Sequence, residues 1–359
     1  MQIITNNIEK ECWDLLSLYE DVEYVKEQIK LVKPDIKETT LKKVASEINL
    51  YIKQANELYN SNNDSIITSP LTLFYSLNNL VKAVYLLKYP TNGIKASHGL
   101  KLKTESGITY KLNELFVHLN NSGTFYDLNK LLSSNLPIDI DISIDDVLKC
   151  IPELSSLYNL VYEKEANVYL MRKNLDNNYE YNILLPNNNY EQLEDKDLGL
   201  LRENAFRLSF YQDLFGYHCN AYKTAGTENV NNILEKDIYN NIYLVLGIPI
   251  NNQIIKIHQL NAIYIIFYVF SMELRYRAYE WINIINSKEK AIIKKAIEEL
   301  KVKMLVCILS LIMNDELEFT SKVENYRDDV DYSELTDKIL DEIKRKNRIH
   351  GKSVLDPLI

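Results

Sequence analysis

Turn-forming residues are scarce in this chain. Nine glycines and eight prolines in 359 residues come to less than half the usual combined share of about 12%. That excludes a glycine-rich fold and favours long uninterrupted helices over a many-turned β-sandwich or barrel. Cysteine is sparse too: Cys12, Cys150, Cys219 and Cys307 stand far apart with no C-x-x-C pair. No zinc ribbon, redox motif or dense disulfide framework is encoded, and reduced, mostly buried thiols are expected. Long apolar runs are also missing. The most apolar stretches, Leu260–Phe270 and Met304–Met313, fall short of the ~20 residues needed to span a bilayer and read as buried core helices. Met1–Lys10 carries no basic segment followed by an apolar core, hence no secretory signal. A cytoplasmic protein with no membrane partner is expected.

What is present is the composition of a globular protein, 46% hydrophobic and 25% charged. Lys and Arg number 41 against 50 Asp and Glu, a net charge of -9 that repels nucleic-acid backbone at long range and argues against nucleic acid as a partner. The catalytic and nucleotide signatures fail one by one. Gly351-Lys352-Ser353 resembles the end of a phosphate-binding loop, but the glycine required five positions earlier is Lys346. No G-x-G-x-x-G, H-E-x-x-H or G-x-S-x-G occurs, so dinucleotide, zincin and α/β-hydrolase chemistry lack their marks. Asp139, Asp141, Asp145 and Asp146 lack the calcium-loop glycine, where Ile144 stands, and read as a solvated strand edge followed by helix N-terminal acids. No metal and no cofactor are expected.

The periodicity gives an α+β fold, mostly α with a small antiparallel β element around central buried helices. Three regions follow: 1–157, helical; 158–250, a mixed insert with a β-hairpin; and 251–359, helical again. Helical spacing runs from Ile8 to about Val32, before Pro34, and from about Thr40 to Tyr59. Ser69 and Pro70 suit the N-cap and first position of a third helix reaching Lys88. Short β-like pieces fall at Leu100–Lys103 and Thr109–Leu112, and Ser143 with Asp146 resembles a capping box. Val168–Leu170 and Tyr179–Leu185 make the hairpin, 187–240 reads as loops with a short helix, and Ile242–Ile250 as a strand. Helices return at about Gln259–Ile285, Lys288–Asn314 and Tyr332–Arg348.

The third helix is apolar on most sides, which places it at the centre of the fold. Its few polar residues align: Tyr75, Asn78, Asn79 and Lys82 lie at i, i+3, i+4 and i+7 and make one narrow stripe. A buried Lys needs a partner, so the stripe either satisfies itself by internal hydrogen bonds that fix helix packing or lines a pocket. Arg275, four residues after Ser271 on another helix expected to be buried, either ties helices together or offers bidentate contacts to a carboxylate or phosphate. His98 follows the third helix after a loop long enough to fold back beside Lys82. Asn79, Lys82, His98 and Arg275 are therefore expected in one polar site. Protein carboxylates nearby would make it structural; without them, an anionic ligand is the natural partner.

Ser69-Pro70-Leu71, Phe74-Tyr75, Asn78-Asn79-Leu80, Lys82-Ala83, Tyr89-Pro90 and His98-Gly99, then Gly123-Thr124-Phe125, Ile151-Pro152-Glu153-Leu154 and Ser271-Met272-x-x-Arg275-Tyr276 through Trp281, resemble in order and spacing the YaaC-like bacterial proteins. The likeness spans about residues 12–315. At Arg277-Ala278 the chain departs from a proline-containing stretch of that family. The resemblance implies a cytoplasmic bacterial protein of a family without an established biochemical activity. The expected function is a ligand-sensing or protein-interaction module, its polar pocket taking a small anion or nucleotide, with a protein partner or a homo-oligomer as its assembly. The alternative is a ribonuclease of the HEPN type, because Arg345 and His350 fit that superfamily's Arg–His spacing and would be the catalytic pair, or a subunit of a phage-defence assembly. Against the nuclease stand Lys346, where a polar residue usually follows the Arg, and the ordinary preference of helix C-termini for basic residues.

Overall fold

In a computed structural model the chain is described over residues 1–320, apart from 63, 105–110, 174–179, 185–205, 214–215, 224–233 and 252. Helix α1 (Ile8–Leu16) starts where the Asn7 side chain accepts the Lys10 N–H at 2.9 Å. The single helix expected from Ile8 to Val32 is broken. A 3-10 turn (Ser17–Glu20) follows α1, and α2 (Val22–Val32) begins afresh because Asp21, in extended backbone, accepts the N–H groups of Glu23 and Tyr24 at 2.7 and 3.2 Å. After α3 (Glu38–Asn60) comes α4 (Ser69–Lys88). It starts one residue early, with Thr68 at the cap and Pro70 in the first turn, so Ser69 is helical rather than the cap.

Leu73, Phe74, Leu77, Leu80, Val81 and Val84 of α4 are each at most 1% exposed, because the helix has neighbours on nearly every side. The short helices α5 (Thr124–Leu131), α6 (Ile144–Lys149) and α7 (Ser155–Tyr162) lead to α8 (Gln259–Tyr276). Helix α4 lies against α3, α5 and α8. From Gln259 to Ser271 every residue of α8 is buried. Three of its polar side chains reach across to neighbours: Asn261 Nδ2 donates to Asn129 Oδ1 at 2.6 Å, Tyr264 Oη to Asn78 Oδ1 at 2.8 Å, and Tyr268 Oη to the Leu100 carbonyl at 2.9 Å. No helix among the described residues is long and apolar enough to cross a membrane. The helix expected through Ile285 bends at Arg277 (φ -137°, ψ 53°), where α8 ends and α9 (Ala278–Ile285) begins. Helix α10 (Lys290–Lys295), one π-helical turn (Ala296–Leu300) and α11 (Lys301–Met313) complete the helical part.

The sheets are small or peripheral to this helical centre. Strand β1 (Gln2–Ile4) pairs in parallel with β13 (Glu318–Thr320), tying the start of the chain to the end of its described part. Strands β2 (Leu100–Thr104), β3 (Leu115–Leu119) and β4 (Ile140–Ser143) form an antiparallel sheet; Leu112–Glu114, the tail of the second expected β piece, is a 3-10 turn. The expected hairpin is present as β5 (Val168–Lys173) against β6 (Glu180–Leu184), with Met171 opposite Ile183. It belongs, however, to a six-stranded antiparallel sheet with β7 (Phe206–Asp213), β8 (Gly216–Lys223), β9 (Leu234–Lys236) and β10 (Ile242–Val245). Strands therefore occupy part of the stretch read as loops and a helix. The single strand expected over Ile242–Ile250 divides at Gly247, where φ is +96° and a Cβ would lie 2.6 Å from the Ile255 carbonyl oxygen, before β11 (Ile248–Ile250) turns back on β12 (Gln253–Ile255). One core cluster runs from Ile3 to Phe319.

The cross-link between α4 and α8 gives a direct test. Tyr264→Phe strands the buried Asn78 oxygen without its donor, and the loss expected in a urea unfolding titration is about 1–3 kcal/mol.

Candidate functional site

The candidate site forms where α4, α8 and the segment from Ser97 to Leu100 meet. That segment is held by its backbone. Thr124 and Phe125 donate their N–H groups to the carbonyls of Ser97 and His98 at 3.0 and 2.9 Å, Asn120 donates to Gly99 at 3.0 Å, and the Tyr264 hydroxyl reaches the His98 carbonyl at 3.4 Å. The approach is so close that a Cβ on Gly123 would lie 2.6 Å from the Gly99 nitrogen, which is why a glycine with φ +106° stands there.

His98 is thereby fixed with its ring edge-on to Phe74 (centroids 5.1 Å apart) and Tyr75 (5.7 Å), and tilted against Tyr268 (6.2 Å). Its Nδ1 is buried and has no hydrogen-bond partner. Burial, followed by the charges of Lys82 and Arg275, holds the imidazole below its ordinary value.

Lys82 is half-buried with its ammonium 5.5 Å above the Tyr51 ring of α3, a contact of about 0.5–1 kcal/mol. Burial lowers its affinity for a proton, and no carboxylate opposes that effect. Arg275 donates from Nη1 to the Tyr75 hydroxyl at 2.6 Å and stacks its guanidinium 4.8 Å from the Tyr276 ring. His98 and Arg275 therefore flank Tyr75, Lys82 lies near enough for its charge to act on His98, and among the described residues no carboxylate pairs with Lys82 or Arg275.

The remaining expectations are placed differently. Asn79 is buried and turned to α3, where its Nδ2 lies 3.5 Å from Gln54 Oε1, and Asn78 is committed to Tyr264. The stripe on α4 thus splits into a structural edge and an open one. Arg275 is exposed rather than buried, because α8 emerges from the core in its last turn. Tyr51 and Tyr276 complete the aromatic surround; no pattern in the sequence singles out Tyr51. Arg345, His350 and the helix expected at 332–348 lie outside the described residues.

Two cavities lie elsewhere. One, of about 480 Å³, is bounded by Lys236, Lys256, His258, Lys303 and Cys307. Its ions are internally paired: Lys236 with Glu316 and Glu318, Lys256 with Glu235, and Lys303 with the buried Glu153 at 3.5 Å. The other, of about 600 Å³, has at its floor Glu289, whose Oε1 accepts from Tyr162 Oη at 2.5 Å and from the Leu112 N–H at 3.0 Å.

The family model described as YaaC-like Protein matches residues 17–312, a span that includes every residue of the cationic cluster. No curated protein and no solved structure matches the chain.

Next to Arg275, the bend between α8 and α9 carries a second titratable group. Glu273 is wholly buried; Oε1 accepts from Arg277 at 2.8 Å and Oε2 has no partner. Burial lifts its carboxyl from 4.5 to about 7, against the pull of Arg277. A carboxyl raised on folding contributes stability that is fully present below 4.5 and is lost as the pH rises to about 7. Glu273→Gln keeps the shape and removes the titration. Compared by urea unfolding, the variant is expected to match wild type at pH 5 and to exceed it at pH 8 by about 1–3 kcal/mol. A variant weaker than wild type at pH 8 would show that the ion pair with Arg277 outweighs its desolvation.

Proposed function

We propose that this chain, which belongs to the YaaC-like family, is a cytoplasmic ligand-sensing module whose cluster of Lys82, His98 and Arg275 binds a small anionic ligand. One observation carries the reading: three basic groups are gathered among aromatic rings in a protein of net charge -9, and no described carboxylate neutralises them. Two buried ions elsewhere do have counter-charges, Glu153 with Lys303 and Glu273 with Arg277. Desolvating a cation without a counter-charge costs free energy, and an arriving anion recovers it. The partial burial of Lys82 and His98 strengthens the attraction relative to open water. Asn79, one turn from Lys82, faces α3 through Gln54 and is not assigned to the ligand.

The test is a thermal-shift and calorimetry screen of nucleotides, sugar phosphates and carboxylates against wild type, Lys82→Ala and Arg275→Gln. Wild type is expected to be stabilised by at least one anion, and each variant to bind it about 10- to 100-fold more weakly, the loss of one charge-assisted hydrogen bond of about 1.5–3 kcal/mol. A ligand bound equally by all three proteins, or no anion bound by wild type, would overturn the reading.

A further inference from the structure

We infer that the anion taken by this site is a dianionic oxyanion of the phosphate-monoester class, and that it binds together with a proton on His98. This rests on the anion-binding reading above and adds to it the charge of the ligand and its linkage to pH.

The polar groups at the site are all donors. Lys82 offers its ammonium and Arg275 its remaining guanidinium N–H groups. Tyr75 accepts from Arg275 through its oxygen, which leaves its own hydroxyl hydrogen free to donate. His98 completes the set: its unpartnered, buried Nδ1 becomes a donor whichever tautomer it starts from, once the ring is protonated. A ligand that meets only donors must be acceptor-only. Two standing cations match a dianion and leave a monocarboxylate with one uncompensated charge.

The groups facing His98 all disfavour its proton in the free protein. From α4 the rings of Phe74 and Tyr75 touch it and the charge of Lys82 acts on it, from α8 the Tyr268 ring touches it and the charge of Arg275 acts on it, and the α5 side holds its backbone through the Phe125 N–H. No carboxylate stands among them to keep the imidazolium charged. A doubly charged ligand reverses that balance, because the repulsion of Lys82 and Arg275 is then screened by two negative charges at the same spot. The proton and the anion each favour the other's binding by the same factor, as linkage requires.

Isothermal titration calorimetry with sulfate tests this, since sulfate keeps both charges between pH 6 and 8 and any proton taken up belongs to the protein. Wild type is expected to bind sulfate up to about tenfold more tightly for each unit the pH falls over this range. At pH 7 the heat should differ between two buffers of unlike ionisation enthalpy by an amount that reports uptake of close to one proton. His98→Gln should bind more weakly with no pH dependence, and Lys82→Ala should lose most of the binding. Adenosine monophosphate and glycerol 3-phosphate are expected to bind more tightly than inorganic phosphate. Sulfate binding by wild type that is flat in pH, with no buffer-dependent heat, would overturn the proton linkage while leaving the anion site intact. A monocarboxylate bound more tightly than sulfate, or inorganic phosphate bound more tightly than both esters, would overturn the assigned class in the same way. Binding of sulfate, phosphate esters and carboxylates that is absent from wild type would instead remove the underlying reading.

Discussion

The fold depends on one constraint, the burial of α4 on nearly every side between α3, α5 and α8. A helix so placed has almost no water-facing surface on which to put polar groups, so each one must find a partner inside the protein or remain unsatisfied. Ser76 donates to the Ala55 carbonyl at 2.8 Å, Asn78 accepts from Tyr264, and Asn79 meets Gln54. These contacts fix the rotation of α4 against both neighbours. The rotation in turn decides which residues lie on its open edge, and those are Tyr75 and Lys82. The donors from α8 continue the pattern: Tyr264 and Tyr268 reach the backbone of the segment holding His98, so the interactions that align the two central helices also position the imidazole.

The treatment of charge separates structure from site. Glu289 is buried behind a hydroxyl and a backbone N–H, which anchor the turn at Leu112 to the start of α10. Glu153 and Lys303 share a buried pair that joins the 3-10 turn after α6 to α11. Breaking one partner of such a pair leaves an uncompensated charge, so these groups serve packing. Lys82, His98 and Arg275 follow the opposite rule. Their interactions with Tyr51 and Tyr75 satisfy them in part, and none brings a negative charge. Lys82, half-buried and without a described counter-charge, bears a desolvation cost that a bound anion offsets.

Much of this was legible in the sequence, for physical reasons that differ by element. Helix α4 was readable because apolar residues on most sides of a helix admit only a buried position, and α8 for the same reason. The approach of His98 to α4 follows from the length of the loop between them; Arg275 joins His98 through Tyr75, a contact that no sequence pattern marks. The division of α1 from α2 was not read, although Asp21 was the sufficient cause; its capping competes with a hydrophobic period that continues through it. Strand β7 alternates Phe206, Leu208 and Phe210, a period-two signal obscured by the polar, Asn-rich sequence around it. The bend at Arg277 has no proline or glycine to mark it. Arg277 pairs there with Glu273, four residues earlier, whose burial is a property of the tertiary fold. Arg275 was misjudged as buried because periodicity gives a face and not the depth at which a helix leaves the core.

The central claim is that Lys82 is kept for a ligand and not for the fold, and the stability of the ligand-free protein tests it most directly. Lys82→Met retains the length and apolar stem of the side chain and removes the charge. Because folding lowers the proton affinity of Lys82, the charged form is disfavoured in the native state, and its removal offsets the lost contact with Tyr51 of about 0.5–1 kcal/mol. Measured by urea unfolding at pH 7 in buffer free of multivalent anions, the variant is predicted to unfold at the same or a higher urea concentration than wild type. A loss of more than about 1 kcal/mol, a magnitude reserved for groups with a structural role, would contradict the account.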